Sequence, residues 1–395
     1  NTGLYSSLTR DRDTIAVEAL QNGTLRWLGS GVQLTTQGKP LPPIPVRAFR
    51  LNQTVNGVNR EVPFQVEDWG SNYQVPLGLT SNASLFGDRQ MVVFLVNHNV
   101  QRVTLWWSGR DTTTQTSYAF TNRYFTGDNP SIRRLTNGIL TITVSSDFST
   151  ITSQVAGGSI TSTTRFMRIN GRTPSYGAGP SYVIYRGIVR DILQQEAEWS
   201  GGVAGSPNVY SQMYFTLPAN ATYYTYALHT VFVSSSQSRS LTDFSALQLV
   251  VTGGSQRTEN GTSGGYPISS SNTGLFYDFT SGGFPTGWAH HWSEFISGSS
   301  GSGVMFNDDA NRKLYGYDQI AGQKTGAFNV LSATRTIEVN PVARSQYPAS
   351  FTYALDMTWH GAVVTFSSGN DPIYPSSGNI GLWVIVESPP SVAVA

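Results

Sequence analysis

Short runs of β-branched and aromatic residues with a period of two constrain the fold of this 395-residue chain more than any other feature. Residues 91–96, 102–107 and 140–144 read MVVFLV, RVTLWW and LTITV. Such runs, bounded by Gly, Asn, Asp and Ser, are typical of β-strands. Gly and Pro recur at strand-length intervals. The pattern therefore predicts an all-β fold of antiparallel β-sandwiches rather than a fold built from βαβ units.

One segment, residues 182–199, fits two patterns. Ile184, Ile188 and Ile192 recur at helical spacing, whereas the same residues also alternate with polar ones as in a strand. Because Gly187 interrupts the segment and the rest of the chain is strand-like, we predict a single long strand here.

Two turn-rich stretches indicate the domain organisation. Residues 127–130 read GDNP, which predicts a boundary between an N-terminal β-sandwich domain, residues 1–126, and a larger β domain, residues 127–395. Residues 253–287 are rich in Gly and Ser, and we expect a long loop packed on the surface of the larger domain.

Composition excludes several classes of function. The net charge is +1 with 12% charged residues, so the chain as a whole has no electrostatic footprint for nucleic acid or anionic lipid. No stretch approaches 18 apolar residues, so we expect no membrane span within the chain. The absence of Cys excludes disulfides, thiolate metal sites and thiol catalysis.

The first residue and the sequons favour an exported protein. The chain begins with Asn1 rather than Met, which is typical of a chain that has lost a secretory signal. We therefore expect an extracellular, cell-surface location. Sequons for N-linked glycans, which such a location permits, occur at Asn22, Asn52, Asn82, Asn220 and Asn260.

Two stretches resemble the supersandwich domains of the galactose-mutarotase-like superfamily, which occur in several polysaccharide lyases. The first is LTNGILTITV at 135–144 with the strand that follows, and the second is YRGIVR at 185–190 through EAEW at 196–199. Residues 287–295, 303–311 and 382–390 are similar to uncharacterised archaeal exported or cell-surface proteins. The resemblance covers roughly residues 130–390 and implies a supersandwich fold there. No complete lyase motif is matched.

The densest group of ionisable residues is His290, His291 and Glu294. On a strand the two histidines face opposite sides, whereas a helical turn would place His290 and Glu294 on one face. Catalytic zinc needs three protein ligands, and the third would come from Asp308, Asp309 or His360. Histidines flanked by Trp288 and Trp292 are more often structural, which is the alternative.

Asp308 and Asp309, with Asn307 and Asn311, offer several oxygen ligands within five residues. Calcium prefers such oxygen-rich turns, although a Gly at the sixth position of an EF-hand loop is missing. The alternative is a tight turn in which these side chains bond their own backbone.

Enzymatic chemistry on a polysaccharide would need particular residues together. A lyase would use a base and a cation, for which the candidates are His290, His291, Glu294, Arg312, Tyr315, Tyr317 and His360. A glycosidase would need two carboxylates across a cleft, drawn from Glu196, Glu198, Asp308 and Asp309. No G-x-S-x-G motif occurs.

The sequence favours a structural protein over an enzyme. We expect an archaeal, exported glycoprotein subunit that assembles with copies of itself into a surface layer, sheath or filament, with no cofactor other than the candidate calcium. One alternative is a polysaccharide lyase or another carbohydrate-active enzyme on a supersandwich scaffold. The other is an adhesin that binds glycans or surface polysaccharide.

Overall fold

The structure, a computed structural model, is all-β throughout the residues it describes. Its helical part there is one short 3-10 helix, Val46–Ala48, and no described helix is long and apolar enough to cross a membrane. The described residues are 12–20, 24–27, 33–34, 44–69, 76–81, 84–86, 90–97, 100–107, 133–145, 150–169, 182–199, 209–219, 221–232, 239–241, 244–252, 257–261, 267–269, 275–276, 290–307, 325–331, 334–342, 349–351 and 355–367.

The chain divides into two compact units. The first comprises residues 1–121, 184–192 and 388–395, and the second comprises residues 122–183 and 193–387. The domain boundary expected at residues 126 and 127 lies outside the described residues.

Antiparallel strands form the first unit. Its described strands are β1 (Arg12–Leu20), β2 (Thr24–Trp27), β3 (Gln33–Leu34), β4 (Ile44–Pro45), β5 (Phe49–Val55), β6 (Val58–Glu61), β7 (Phe64–Trp69), β8 (Pro76–Leu79), β9 (Leu85–Phe86), β10 (Gln90–Asn97) and β11 (Val100–Trp107). Among these, one sheet has the order β3-β2-β1-β10-β7-β8, a second has the order β11-β5-β6, and β4 pairs with β9. Phe49, Phe64 and Phe94 are buried in this unit.

The later strands are mostly those of the second unit. In the described part of the chain they are β12 (Arg134–Thr136), β13 (Leu140–Val144), β14 (Thr150–Val155), β15 (Thr161–Ile169), β16 (Tyr182–Arg186), β17 (Arg190–Trp199), β18 (Val209–Pro218), β19 (Tyr223–Phe232), β20 (Arg239–Leu241), β21 (Phe244–Thr252), β22 (Arg257–Gly261), β23 (Pro267–Ser269), β24 (Leu275–Phe276), β25 (His290–Ser297), β26 (Ser300–Asn307), β27 (Thr325–Leu331), β28 (Thr336–Val342), β29 (Ala349–Phe351) and β30 (Leu355–Phe366).

Two large sheets are the framework of the second unit. Within the described residues, an eight-stranded sheet has the order β12-β13-β14-β15-β21-β28-β27-β24. A nine-stranded sheet has the order β16-β17-β18-β19-β30-β26-β25-β22-β23, and β20 pairs with β29. The architecture is the antiparallel β-sandwich that the period-two pattern predicts.

Aromatic side chains fill the space between the two sheets. The ring of Phe166 on β15 lies 5.0 Å from that of Phe215 on β18 and 5.9 Å from that of Tyr226 on β19. Tyr224 also donates a 2.8 Å hydrogen bond to the hydroxyl of Thr164 on β15. Tilted ring pairs of this kind contribute about 0.5–1.5 kcal/mol each beyond area burial. These contacts identify the inner face of each sheet.

A cluster of four buried hydroxyl groups joins the same inner faces. The hydroxyl of Thr365 on β30 lies 3.1 Å from that of Ser153, 3.0 Å from that of Ser162 and 3.2 Å from that of Ser302. Ser302 also donates to the carbonyl of Val364 at 2.7 Å. Because buried hydroxyls are costly without hydrogen bonds, the cluster specifies how these four strands align.

The prediction of one long strand at residues 182–199 was wrong, because the chain turns between β16 and β17. Gly187 permits the turn, since a Cβ there would lie 2.1 Å from Oε1 of Gln65. That oxygen accepts hydrogen bonds from the backbone N–H groups of Val189, at 2.8 Å, and Arg190, at 3.0 Å. A side chain more than a hundred residues away in the sequence thus accepts the hydrogen bonds of the backbone N–H groups in the turn.

The prediction of a continuous loop at residues 253–287 was also wrong in part. The strands β22, β23 and β24 lie within this segment. Residues 257–261 form a strand because they pair along β25, from Arg257 opposite Ile296 to Gly261 opposite Trp292. Backbone pairing with a long neighbouring strand overrides the weak local preference of Gly, Ser and Asn for strands.

Candidate functional site

The face of the nine-stranded sheet that points away from the eight-stranded sheet carries the candidate site, and we call it the outer acidic face. Register places Glu294 opposite Gly303, Gly303 opposite Val364, and Val364 opposite Tyr223. Directly paired residues lie on the same face of a sheet, so these four form one row. The next residues along β30 and β19, Thr365 and Tyr224, contact the eight-stranded sheet. The row therefore lies on the opposite side.

A second carboxylate belongs to the same row. Glu259 on β22 is the register partner of Glu294 on β25. The Cβ positions of directly opposite residues in an antiparallel pair are about 5 Å apart. The backbone register thus brings two acidic residues to one point of the sheet.

Two further rows follow on the outer acidic face. The first runs through Trp292, Met305, Ala362, Thr225 and Thr216.

The second of these rows holds the two histidine positions. His290 pairs with Asn307 on β26, and His360 pairs with Ala227, which pairs with Tyr214. One strand separates β25 from β30, which places the backbone of His290 and His360 about 10 Å apart at the usual strand spacing. The residues expected from the sequence to act together, His290, Glu294 and His360, therefore share one face.

Small residues separate the acidic end of the row from Tyr223. Gly303 and Val364 lie between Glu294 and Tyr223, and Ala362 lies in the next row. Three strand spacings, about 14 Å, separate the backbone of Glu294 from that of Tyr223. The two ends of the row thus flank a floor of small side chains.

Most of the described side chains of this face are shielded from water, whereas Thr225 is partly exposed. Glu294 is 0% exposed, and Tyr214, Thr216 and Tyr223 are each at most 5% exposed. The hydroxyls of Thr216 and Thr225 share a hydrogen bond across β18 and β19. Burying an ionisable group is costly, and such groups are concentrated at functional sites, so Glu294 is the strongest described candidate on this face.

Two other buried carboxylates, Glu67 and Glu338, contribute to the stability of the fold. Glu67 on β7 receives a bidentate pair of hydrogen bonds from Arg190, at 2.7 and 2.6 Å, and a third from Gln65 at 2.7 Å. Glu338 on β28 accepts a 2.9 Å hydrogen bond from Gln248. The first of these groups holds the turn before β17 in place. These contacts assign Glu67 and Glu338 to the stability of the fold.

The structure separates the residues of the predicted histidine cluster. His290 and His291 are consecutive residues of β25, so they fall on opposite faces and only His290 shares a face with Glu294. The alternative of a helical turn at this segment was wrong. Glu196 and Glu198 lie on β17. The other predicted residues, Asp308, Asp309, Asn311, Arg312, Tyr315 and Tyr317, lie outside the described residues.

The predicted metal and glycan sites are not decided by the geometry. Among the described residues, no group of three His, Asp or Glu is placed to hold a metal ion. Of the five sequons, Asn52 is half-buried on β5 and Asn260 lies on β22. Asn22, Asn82 and Asn220 lie outside the described residues.

Sequence reasoning missed Glu259, Tyr214 and Tyr223 as members of this face. Glu259 lies in the segment expected to be a loop, and the tyrosines alternate on β18 and β19 with others that face the core. Glu259 lies between Thr258 and Asn260, and nothing in this local sequence indicates a catalytic role. Only the pairing of β22 with β25 brings it to Glu294.

Comparisons with known proteins give only distant structural similarities. No family model matches the sequence, and no curated protein matches it. The fold is similar to that of an alpha-mannosidase from Enterococcus faecalis V583, with a TM-score of 0.40 and 9% identity, covering 92% of this chain and 44% of that chain. The chain therefore spans less than half the length of that enzyme.

Two further solved structures are similar. An alpha-N-acetylgalactosaminidase from Bifidobacterium bifidum matches at a TM-score of 0.35 and 7% identity, over 60% of this chain and 36% of that chain. The Slr1438 protein from Synechocystis sp. PCC 6803 matches at 0.34 and 8% identity, over 63% of this chain and 100% of that chain. These values are too low to carry the activities in those titles over to this chain.

Proposed function

We propose that the protein is a carbohydrate-active enzyme that cleaves glycosidic bonds on the outer acidic face. The observation that carries the proposal is the register pairing of Glu259 with Glu294. Glycosidases that retain the anomeric configuration use two carboxyl groups about 5–5.5 Å apart. The Cβ atoms of directly opposite residues are about 4.5–5.5 Å apart, which brings two Glu residues at such positions within reach of that separation. A structural sheet gains nothing from like charges directly opposite each other, since such pairs are destabilising.

The two carboxyl groups divide the reaction. One, in its protonated form, gives its proton to the leaving glycosidic oxygen, while the other attacks the anomeric carbon and forms a glycosyl ester. Water then hydrolyses the ester, and the first group, now a carboxylate, takes the proton of that water.

The experiment is a digestion of a panel of neutral and acidic polysaccharides, with reducing ends as the readout. Glu294→Gln and Glu259→Gln should each reduce the rate at least 100-fold, because each removes one half of the acid and nucleophile pair. Proton NMR of the first product should show retention of the anomeric configuration. Glu61→Gln, which changes a partly exposed carboxylate in the first unit, is the matched control and should keep the full rate.

Two results would contradict the proposal. Products with an unsaturated uronate, seen by absorbance at the double bond, would indicate elimination and a lyase. Equal rates for Glu294→Gln, Glu259→Gln and Glu61→Gln, all with unchanged melting temperatures, would remove the carboxylate pair from the mechanism.

A second candidate function is assembly of an extracellular structural protein from copies of this chain. The low charge of 12%, with 12% aromatic residues, favours it, because aromatic and uncharged surfaces suit large interfaces between subunits. Electron microscopy of the natively purified protein tests this candidate. Regular filaments, tubes or sheets would support it, and dispersed monomers would oppose it.

A further inference from the structure

The eight-stranded sheet carries a regular array of threonines on the side that faces away from the nine-stranded sheet. We call this array the threonine face. It consists of Thr136 on β12, Thr141 and Thr143 on β13, Thr150 and Thr152 on β14, and Thr161 and Thr163 on β15. Register aligns Thr136 with Thr141, Thr143 with Thr152, and Thr152 with Thr163. Four neighbouring strands thus present hydroxyls in rows.

The threonine face is open to solvent, unlike the outer acidic face. Each of its threonines is partly exposed, while the residues between them, such as Leu140, Ile142 and Ile151, are buried. Gln154 and Arg165, which extend the rows on β14 and β15, are exposed. At ordinary sheet spacings the hydroxyls repeat about every 5 Å across strands and about every 7 Å along a strand.

The twist of a sheet limits what can lie along these rows. Adjacent strands rotate by about 20–25°, so four strands turn through roughly 60–75°. A flat crystalline surface would contact only part of the array, whereas a single extended polymer chain follows the twist. The partner that fits is therefore one chain with hydrogen-bonding groups at short intervals.

The charged residues on this face indicate whether that partner is positively or negatively charged. The threonine face carries Arg134 and Arg165, and among the described residues the one carboxylate on the same side of this sheet is Glu338, which is 3% exposed and pairs with Gln248. Arg134 pairs with Thr143 at one end of a row, and Arg165 pairs with Thr150 at another. The guanidinium of Arg165 donates a 3.1 Å hydrogen bond to Gln248, which holds its side chain across the sheet. Because Glu338 is buried, the charge that this face exposes among the described residues is positive, which complements an anionic polymer.

We propose that the threonine face binds a single chain of an anionic polysaccharide, one whose sugar rings carry carboxylate or sulfate groups. Arg134 and Arg165 bind the anionic groups, and the threonine hydroxyls exchange hydrogen bonds with ring hydroxyls. A second copy of the chain fits less well, because four strands and five residues along each cover only about 300–400 Å², below the roughly 800 Å² per partner of a stable interface. Single-stranded nucleic acid stacks its bases on aromatic rings, and the described threonine face presents none.

The experiment measures binding of polygalacturonate to the whole protein by isothermal titration calorimetry at several salt concentrations. Fully methyl-esterified polygalacturonate serves as the uncharged polymer with the same backbone. Arg134→Gln combined with Arg165→Gln should weaken binding at least 10-fold and flatten its salt dependence. Thr152→Val combined with Thr163→Val should weaken binding about 3-fold and leave the salt dependence unchanged, since only hydroxyls are removed.

Matched controls separate this surface from the proposed catalytic face. Arg60→Gln, which changes an exposed arginine on β6, should leave binding unchanged. Equal affinity for the charged and the esterified polymer would overturn the proposal, as would tighter binding of poly(U) than of any acidic polysaccharide. Loss of polygalacturonate binding in Glu294→Gln, with full binding in the arginine pair, would assign the polymer to the outer acidic face instead. The threonine face stands independently of the proposed enzyme, because the arginine pair and Glu294→Gln change two different faces.

Discussion

The outer faces of the two large sheets differ in burial and in chemistry, although the sequence gives both the same period-two pattern. The outer acidic face is shielded from water and carries Glu294, Tyr214 and Tyr223 among small residues. The threonine face is open and carries hydroxyls and arginines. The difference teaches that alternation reveals which residues share a face but not whether that face is covered. Polar residues in alternate positions of a strand therefore do not reliably indicate that its face is exposed to solvent.

The largest expected difference between the two faces is in the cost of truncating a side chain. Tyr214→Ala should lower the free energy of unfolding by about 3 kcal/mol or more, because it empties the space of a large buried ring. Thr152→Ala on the threonine face should cost less than about 1 kcal/mol, mainly through strand propensity. Urea denaturation of both variants measures the contrast. Equal costs would mean that the two faces are covered alike.

A smaller effect is expected from removing a single hydroxyl. Thr365→Val keeps the shape of the side chain but leaves Ser153, Ser162 and Ser302 without a shared partner, which should cost about 1–3 kcal/mol. The matched change, Thr163→Val, lies on the same sandwich but on the open side and should be nearly neutral. Chemical denaturation measures both variants. An unchanged free energy of unfolding in Thr365→Val would show that the hydroxyl cluster does not determine how the strands align.

The smallest effect concerns alkaline pH and the core that both faces enclose. Burial raises the pKa of the Tyr226 hydroxyl, and the neighbouring Tyr224 raises it further. Burial also raises the pKa of Tyr224, against a smaller lowering by its hydrogen bond to Thr164. In the unfolded chain tyrosine ionises near pH 10, so above that pH the unfolded state binds fewer protons and is favoured.

The free energy of unfolding should accordingly be fully retained below about pH 10 and fall as the pH rises beyond it. Urea titrations at pH 8, 10 and 11 measure the fall. In the double variant Tyr224→Phe and Tyr226→Phe the fall should be smaller, since neither ring can ionise. An identical fall in the double variant would show that other groups cause it.

Much of the fold could be predicted from the sequence because strands have a local signal. The run at residues 140–144 is β13 with the same bounds, and the runs at 91–96 and 102–107 lie within β10 and β11. The break between β16 and β17 could not be predicted, because it depends on Gln65, a residue distant in the chain that accepts two hydrogen bonds from the turn.

The candidate site was predictable only in part for the same reason. His290, Glu294 and His360 stand out by residue type, and the strand at β25 explains why His291 does not join them. Glu259 has no such signal, since its role depends on the register between β22 and β25. Register between strands is set by packing and turns rather than by the residues that happen to face each other.

Asn137 illustrates a local signal with a distant consequence. The Asn-Gly pair at 137–138 forms the turn between β12 and β13, with Gly138 at a φ of 84°. The Asn137 carboxamide also donates to the carbonyls of Pro218 and Ala221, each at 2.8 Å. The turn can be predicted from the sequence, but its hydrogen bonds to the hairpin that carries Tyr223 cannot.

The most direct test of the carboxylate pair is hydrogen–deuterium exchange of the inactive Glu294→Gln protein with a substrate oligosaccharide from the digestion panel. The account predicts slower exchange in β22, β25 and β26, which carry and flank the pair. Protection confined to β12 to β15, or none in β22 and β25 at saturating oligosaccharide, would contradict the assignment of the outer acidic face as the catalytic site.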